Sequence, residues 1–136
     1  MIIMLASDIC RLVLKQQPAA LLGTLQQWSV DSHEIVISAI TYAELVAAAL
    51  LTTEQQRHMA LVDAFCDRLD AVVAWDTSAV DAYTRLQRQI MQEQRTLNMN
   101  DAMIAAHAIS LDGKLLSTNA RSFAGIQALK LELWPA

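Results

Sequence analysis

Short runs of apolar, often β-branched residues, each followed by a stretch of helical sequence, recur along the whole of this chain. Ile2–Leu5 is such a run, and Ile35-Val36-Ile37-Ser38, Ala71-Val72-Val73-Ala74, Lys114–Ser117 and Leu129–Leu133 repeat the pattern. Runs this short and this uniformly apolar suit strands buried on both faces. Between them lie helical segments: Asp8 to about Gln16, Pro18 to about Trp28, and Thr41 as an N-cap through Leu50 or Leu51. Thr52-Thr53-Glu54 would cap another helix reaching Leu69. Asp76-Thr77 would start a long one to about Arg95, with Val80, Tyr83, Leu86 and Ile90 along one face. Asn98-Met99-Asn100 would break it, and a last helix would run from Asp101 to Leu111 with Gly113 as its stop signal. Strands alternating with helices predict an α/β sandwich on a mainly parallel sheet, with ligands beyond the carboxyl ends of the strands.

The 136 residues carry no repeat, linker or low-complexity segment, and residues 1–136 read as a single domain. Hydrophobic residues make up 54% of the chain and charged ones only 18%. That leaves more apolar surface than one core of this size absorbs and predicts an oligomer or partner interface. The helices between Asp8 and Trp28 and between Leu45 and Leu69 are the candidates for it. The longest apolar run, Leu45–Leu51, is far short of the roughly 20 residues a membrane span needs. The apolar start is interrupted by Asp8 and Arg11 and lacks a basic flank, so no signal peptide is expected and a cytoplasmic location is. Cys10 and Cys66 read as two buried thiols, and His107 as a structural helix residue. The net charge of −4 means that an RNA ligand would need a local basic patch, a metal ion or a second chain.

Four segments bring polar or acidic residues to the carboxyl ends of the strands: Ala6-Ser7-Asp8, Thr41 through Glu44, Asn100-Asp101 and Thr118-Asn119. Carboxylates gathered there repel, by roughly 4 kcal/mol for a pair about 4 Å apart at an effective dielectric of 20. A divalent cation relieves that repulsion, and oxygen-only ligands favour magnesium or manganese. Each residue also has a plainer reading. Thr41 with Glu44 matches a capping box, Asp101 suits a helix N-terminus, Asp8 an N-cap, and Asn119 a turn. Asp101, however, shares its face with Ile104, Ala105 and Ala108, where an unpaired acid is costly.

In order along the chain, MLASDIC (4–10), ISAITYAE (37–44), NDAMIAAH (100–107) and LSTNARSF (116–123) resemble the four motifs of VapC-type PIN domains, and Leu133-Trp134 resembles their usual ending. The resemblance covers nearly the whole chain. It implies a three-layer α/β/α sandwich around four or five mainly parallel strands. It also implies a magnesium- or manganese-dependent endoribonuclease acting on structured RNA, tRNA first among candidates. The implied partners are a VapB-like antitoxin and a second toxin in a homodimer within a larger complex, with operator DNA bound only through the antitoxin. By motif, Glu44 and Asp101 would be metal-ligating catalytic acids. Asn119 would join them in the site, and Ser7, Asp8 and Thr118 would support it.

Ala6 stands where the family has its first aspartate, and Asn119-Ala120 stand where many relatives carry an acid. A methyl group offers no ligand, so the chain is expected to be inactive or severely impaired, on the reading that Ala6 was introduced to disarm a toxin. A natural pseudoenzyme that binds without cleaving is the alternative. A third reading is an unrelated α/β protein whose acids only cap helices.

Overall fold

Strand β1 (Ile2–Leu5) is hydrogen-bonded on both sides, and its alternating side chains divide the interior in two. Met4 faces one core cluster, and Ile3 and Leu5 face the other. The same period-two split sends Val36 and Leu115 to the first cluster and Ile35, Ile37 and Leu116 to the second. The computed structural model describes residues 1–135.

Five parallel strands, β1, β2 (Glu34–Ser38), β3 (Ala71–Val73), β4 (Lys114–Ser117) and β5 (Lys130–Leu133), lie in the order β3-β2-β1-β4-β5. Helices α1 (Ser7–Leu14), α2 (Ala19–Val30), α3 (Ala39–Leu50) and α4 (Gln55–Asp67) supply the second cluster. Helices α5 (Thr77–Gln92), α6 (Met99–Ser110) and the single turn α7 (Ala120–Phe123) supply the first. The result is the expected three-layer α/β/α sandwich, with a sheet that is wholly parallel among the described residues. No helix among them is long and apolar enough to cross a membrane. Both edge strands are short, and β5 carries Lys130 and Glu132, which pair with Asp112 (2.8 Å) and Lys114 (3.3 Å).

Several boundaries differ from the sequence reading. Helix α3 begins at Ala39, because the Ser38 hydroxyl, three residues before the expected N-cap Thr41, accepts the Ile40 N–H at 3.1 Å. Thr41 is therefore a buried residue inside the first turn, and the Thr41–Glu44 capping box does not form. Asn98 does not break a helix but opens α6, accepting the N–H groups of Asn100 (2.8 Å) and Asp101 (3.3 Å). The buried face of α5 is Ala79, Ala82, Leu86 and Ile90, whereas Val80 is 44% exposed. Cys10 is buried, but Cys66 only partly so, and both are free thiols.

His107 is fully buried, with Nδ1 2.8 Å from the Ser38 hydroxyl and Trp75 packed edge-on against the ring at 6.5 Å. Burial lowers its pKa from the ordinary value of 6.5, against a smaller opposing pull from Asp76 and the Ala74 carbonyl. The imidazole thus serves as a neutral hydrogen-bonding strut between α6 and the β2–α3 junction.

Gly113 follows α6 but does not terminate it in the left-handed region; Asp112, at φ 53°, takes that conformation. Gly113 is required for a different reason. A Cβ there would stand 2.9 Å from the Ile2 carbonyl oxygen, so β4 can lie beside β1 only without one. Gly113→Ala is expected to destabilise the fold by about 1–3 kcal/mol, read as a lower midpoint in urea denaturation at an unchanged slope.

Candidate active site

The turn from β1 into α1 occurs at Ala6, which stays extended (φ −70°, ψ 164°) while Ser7 is already helical. This half-turn splits two neighbouring side chains between the faces of the sheet. Ala6, 3% exposed, lies in the cluster containing Ala102 and Ala105 of α6. Ser7 turns toward α3, where its hydroxyl lies 2.7 Å from Glu44 Oε1 and 3.5 Å from Thr41 Oγ1. A hydroxyl has one proton, and the shorter distance assigns it to the Glu44 carboxylate. Glu44 is thereby oriented by a donor from β1's own exit.

Asp8 points across the sheet edge to β4. Its Oδ2 accepts the Thr118 N–H at 2.8 Å, the Thr118 hydroxyl at 2.5 Å and the Ser117 hydroxyl at 3.1 Å, while Oδ1 accepts the Ile9 N–H at 2.9 Å. These donors fasten the ends of β1 and β4 together. Ser117, fully buried, also accepts the Asn119 N–H at 2.9 Å. Asn119 spends its side-chain amide within its own turn: Oδ1 accepts the Ser122 N–H at 3.0 Å and Nδ2 donates to the Ser122 hydroxyl at 2.9 Å. It caps α7, and its side-chain hydrogen bonds go to Ser122 and not to Glu44 or Asp101.

Asp101 sits in the first turn of α6, half-buried, beside the other acids. Burial raises its pKa above the ordinary 3.8, and the charges of Glu44 and then Asp8 raise it further, with Arg11 pulling the other way. The structure therefore brings Ser7 against Glu44, Asp8 against Ser117 and Thr118, and Asp101 within electrostatic reach of both acids. Two participants do not stand out in the sequence. Ser117 reads there as a strand end, and Arg11, one helical turn after Asp8 and so on its face of α1, lies outside the motifs. Thr41, expected at this edge ahead of Glu44, lies beside Ser7.

The donor set suits a hard divalent cation in kind but not in number. Oxygen ligands are what magnesium and manganese take, yet no three acidic, histidine or cysteine side chains converge for a metal among the described residues. The β1 terminus, where the extended backbone delivers a side chain toward α6, carries the Ala6 methyl. Beside Glu44 opens a cleft of about 320 Å³ between α1, α3 and α4, floored by Leu14, Leu45, Ala49 and Val62 and rimmed by Arg11 and Lys15.

Asp101 generates a pH-dependent prediction. Its folded-state pKa lies above the unfolded one, so the folded protein binds the proton more tightly. The charged form costs stability at neutral pH, and that cost disappears as pH falls through the folded pKa. Asp101→Asn is thus expected to raise Tm at pH 7, by no more than about 3 °C given the solvent screening of a half-buried group. The gain should vanish toward pH 4 in parallel thermal melts.

Comparisons with known proteins agree with this fold. The PIN domain family matches residues 17–129. The tRNA(fMet)-specific endonuclease VapC of Shigella flexneri is 27% identical over 131 residues, 96% of each chain. Ribonuclease VapC2 of Rickettsia felis is 28% identical over 134 residues, 98% of each chain. Among solved structures, VapBC2 of Rickettsia felis bound to a DNA fragment from its promoter superimposes with a TM-score of 0.93 at 28% identity, covering 98% of this chain and 99% of that one. DNA-bound VapBC from Salmonella typhimurium gives 0.87 at 26% identity, covering 98% of each.

Proposed function

This chain belongs to the PIN-domain family, and on that premise we propose that it is the toxin component of a type II toxin–antitoxin pair, an endoribonuclease of VapC type whose reaction Ala6 disables. The observation that carries the reading is the sheet edge itself. Ser7, next to the Ala6 methyl at the end of β1, orients Glu44, and burial, with the Glu44 charge, raises the pKa of Asp101.

Magnesium or manganese is the cofactor of this reading, and such an ion acidifies a bound water and offsets charge on a phosphodiester. In this chain Glu44 and Asp101 remain as the acids that would hold it, without the third. Asp8 and Thr118, with Ser117, hold the β1 and β4 ends in register, and Asn119 shapes the adjoining turn. Residues 1–136 act as one domain, in the cytoplasm. The substrate class is structured RNA, with tRNA taken from the name of the Shigella relative.

The partner is a VapB-like antitoxin. The apolar cleft between α1, α3 and α4 supports this, because a segment seated there would lie against Glu44 and obstruct the site. Exposed Leu50, Leu51 and Leu61 extend the apolar surface around it. A homodimer of the toxin within a larger complex follows the same analogy, with operator DNA contacted through the antitoxin. The second reading is a binding module that holds RNA without cutting it, and Ala6 is the observation in its favour.

Ala6→Asp separates the two. The revertant is expected to cleave tRNA with magnesium or manganese at least 10–100-fold faster than the present chain, and EDTA or a further Asp101→Asn change should abolish the cleavage. A new acid in the Ala102–Ala105 layer should also make Tm rise with added magnesium in the revertant and not in the parent. A folded revertant that leaves tRNA and wider RNA pools intact would establish the binding module instead.

A further inference from the structure

The site described above has an electrostatic deficit. A strand of RNA brought to this edge meets Asp8, Glu44 and Asp101, in a chain whose net charge is −4. With Ala6 in place, the cation that would offset those acids lacks a full donor set. Side-chain cations must therefore draw the phosphates in. Arg57, Lys114 and Lys130 are paired with acids.

Arg11 and Lys15 form no such ion pair among the described residues, and both are exposed. They stand four residues apart along α1, about 6 Å of helical rise, which is comparable to the step between successive phosphates of a nucleic acid strand. Both rim the cleft that also includes Glu44. Arg11 lies one helical turn after Asp8 along α1 and lines the same cleft as Glu44, which places its charge at the acidic edge. A guanidinium fork matches phosphate oxygens in pairs, while a lysine adds a point charge.

We propose that Arg11 and Lys15 are the phosphate contacts that hold an RNA strand against the acidic edge of the sheet. They are positioning residues, and their role is independent of cleavage. The inference rests on the RNA-binding reading given above. The same pair would also attract an acidic segment of a protein partner, so the test must separate the two.

The measurement is fluorescence anisotropy of fluorescein-labelled initiator tRNA with the full chain, in EDTA, across a salt series. Arg11→Gln with Lys15→Gln is expected to weaken binding at least tenfold at low salt. The slope of log affinity against log salt should shrink by roughly 1.4–1.8, the loss of two phosphate contacts at about 0.7–0.9 each. Arg11→Lys should keep the salt slope while losing affinity, and Lys130→Gln, at the far edge beside Asp112, should change neither. Circular dichroism melts of the double variant should match the parent, since both side chains are exposed. If the parent binds tRNA and the double variant binds it equally with the same slope, the assignment of this pair is overturned and the RNA reading stands. If the parent binds neither tRNA nor total RNA, the RNA reading itself falls. Loss of antitoxin affinity with RNA affinity unchanged would overturn the proposal in favour of an acidic protein segment.

Discussion

The parallel alignment of β1 with both β2 and β4 is the constraint on which the rest depends. The chain winds outward from β1 in one direction through β2 and β3, then returns to its other side for β4 and β5. Connections leave the carboxyl ends of β1 and β4 in opposite senses, and a crevice opens between them. Asp8 spans that crevice to Ser117 and Thr118, and Glu44 and Asp101 enter from helices on the two faces of the sheet. No local preference of any one segment could assemble these five; the topology does it.

Such an assembly opposes folding stability. Half-burying an aspartate near two other acids raises its pKa, so the site is held together by the surrounding packing and not by its own interactions. The compensation is visible in named contacts. Ser7 donates to Glu44, several donors converge on Asp8, and Asn98 caps the helix that carries Asp101. Ala6 lightens the load, since a methyl group at the end of β1 joins an apolar layer and adds no fourth charge.

Strands and the order of the motifs were legible in the sequence because burial on both faces leaves continuous apolar runs. Ile35-Val36-Ile37 has no other reading at that length. Helix starts were less legible, because a hydroxyl or amide can cap from several neighbouring positions. Thr41 and Ser38 both suit a cap by type, and the structure uses Ser38, whose hydroxyl also lies beside His107. Asn98 reads equally as a breaker or a cap, which differ only in whether the next residues find a helix to join. On α5 the expected Leu86 and Ile90 are buried and Tyr83 packs on the same cluster, but at its start the small Ala79 and Ala82 face inward and Val80 does not. In the site, Glu44 and Asp101 could be read from motif and periodicity. The commitment of Asn119 to Ser122 could not, since it depends on the path of a one-turn helix that has no periodic signature. Arg11 was overlooked for a related reason: its significance lies in which charges it faces across space.

Helix α6 brings Ala102, Ala105, Ala106 and Ala108, all fully buried, into the core cluster that also holds Ala6 and Met4. Residues this small leave little between helix backbone and strand, and close packing leaves little slack. The layer works as a calliper: its thickness sets how far Asp101 stands from the end of β1. Side chains with no chemistry of their own thus hold the dimension that the chemistry requires, and a bulkier residue anywhere in the layer would open the jaws without touching an acid.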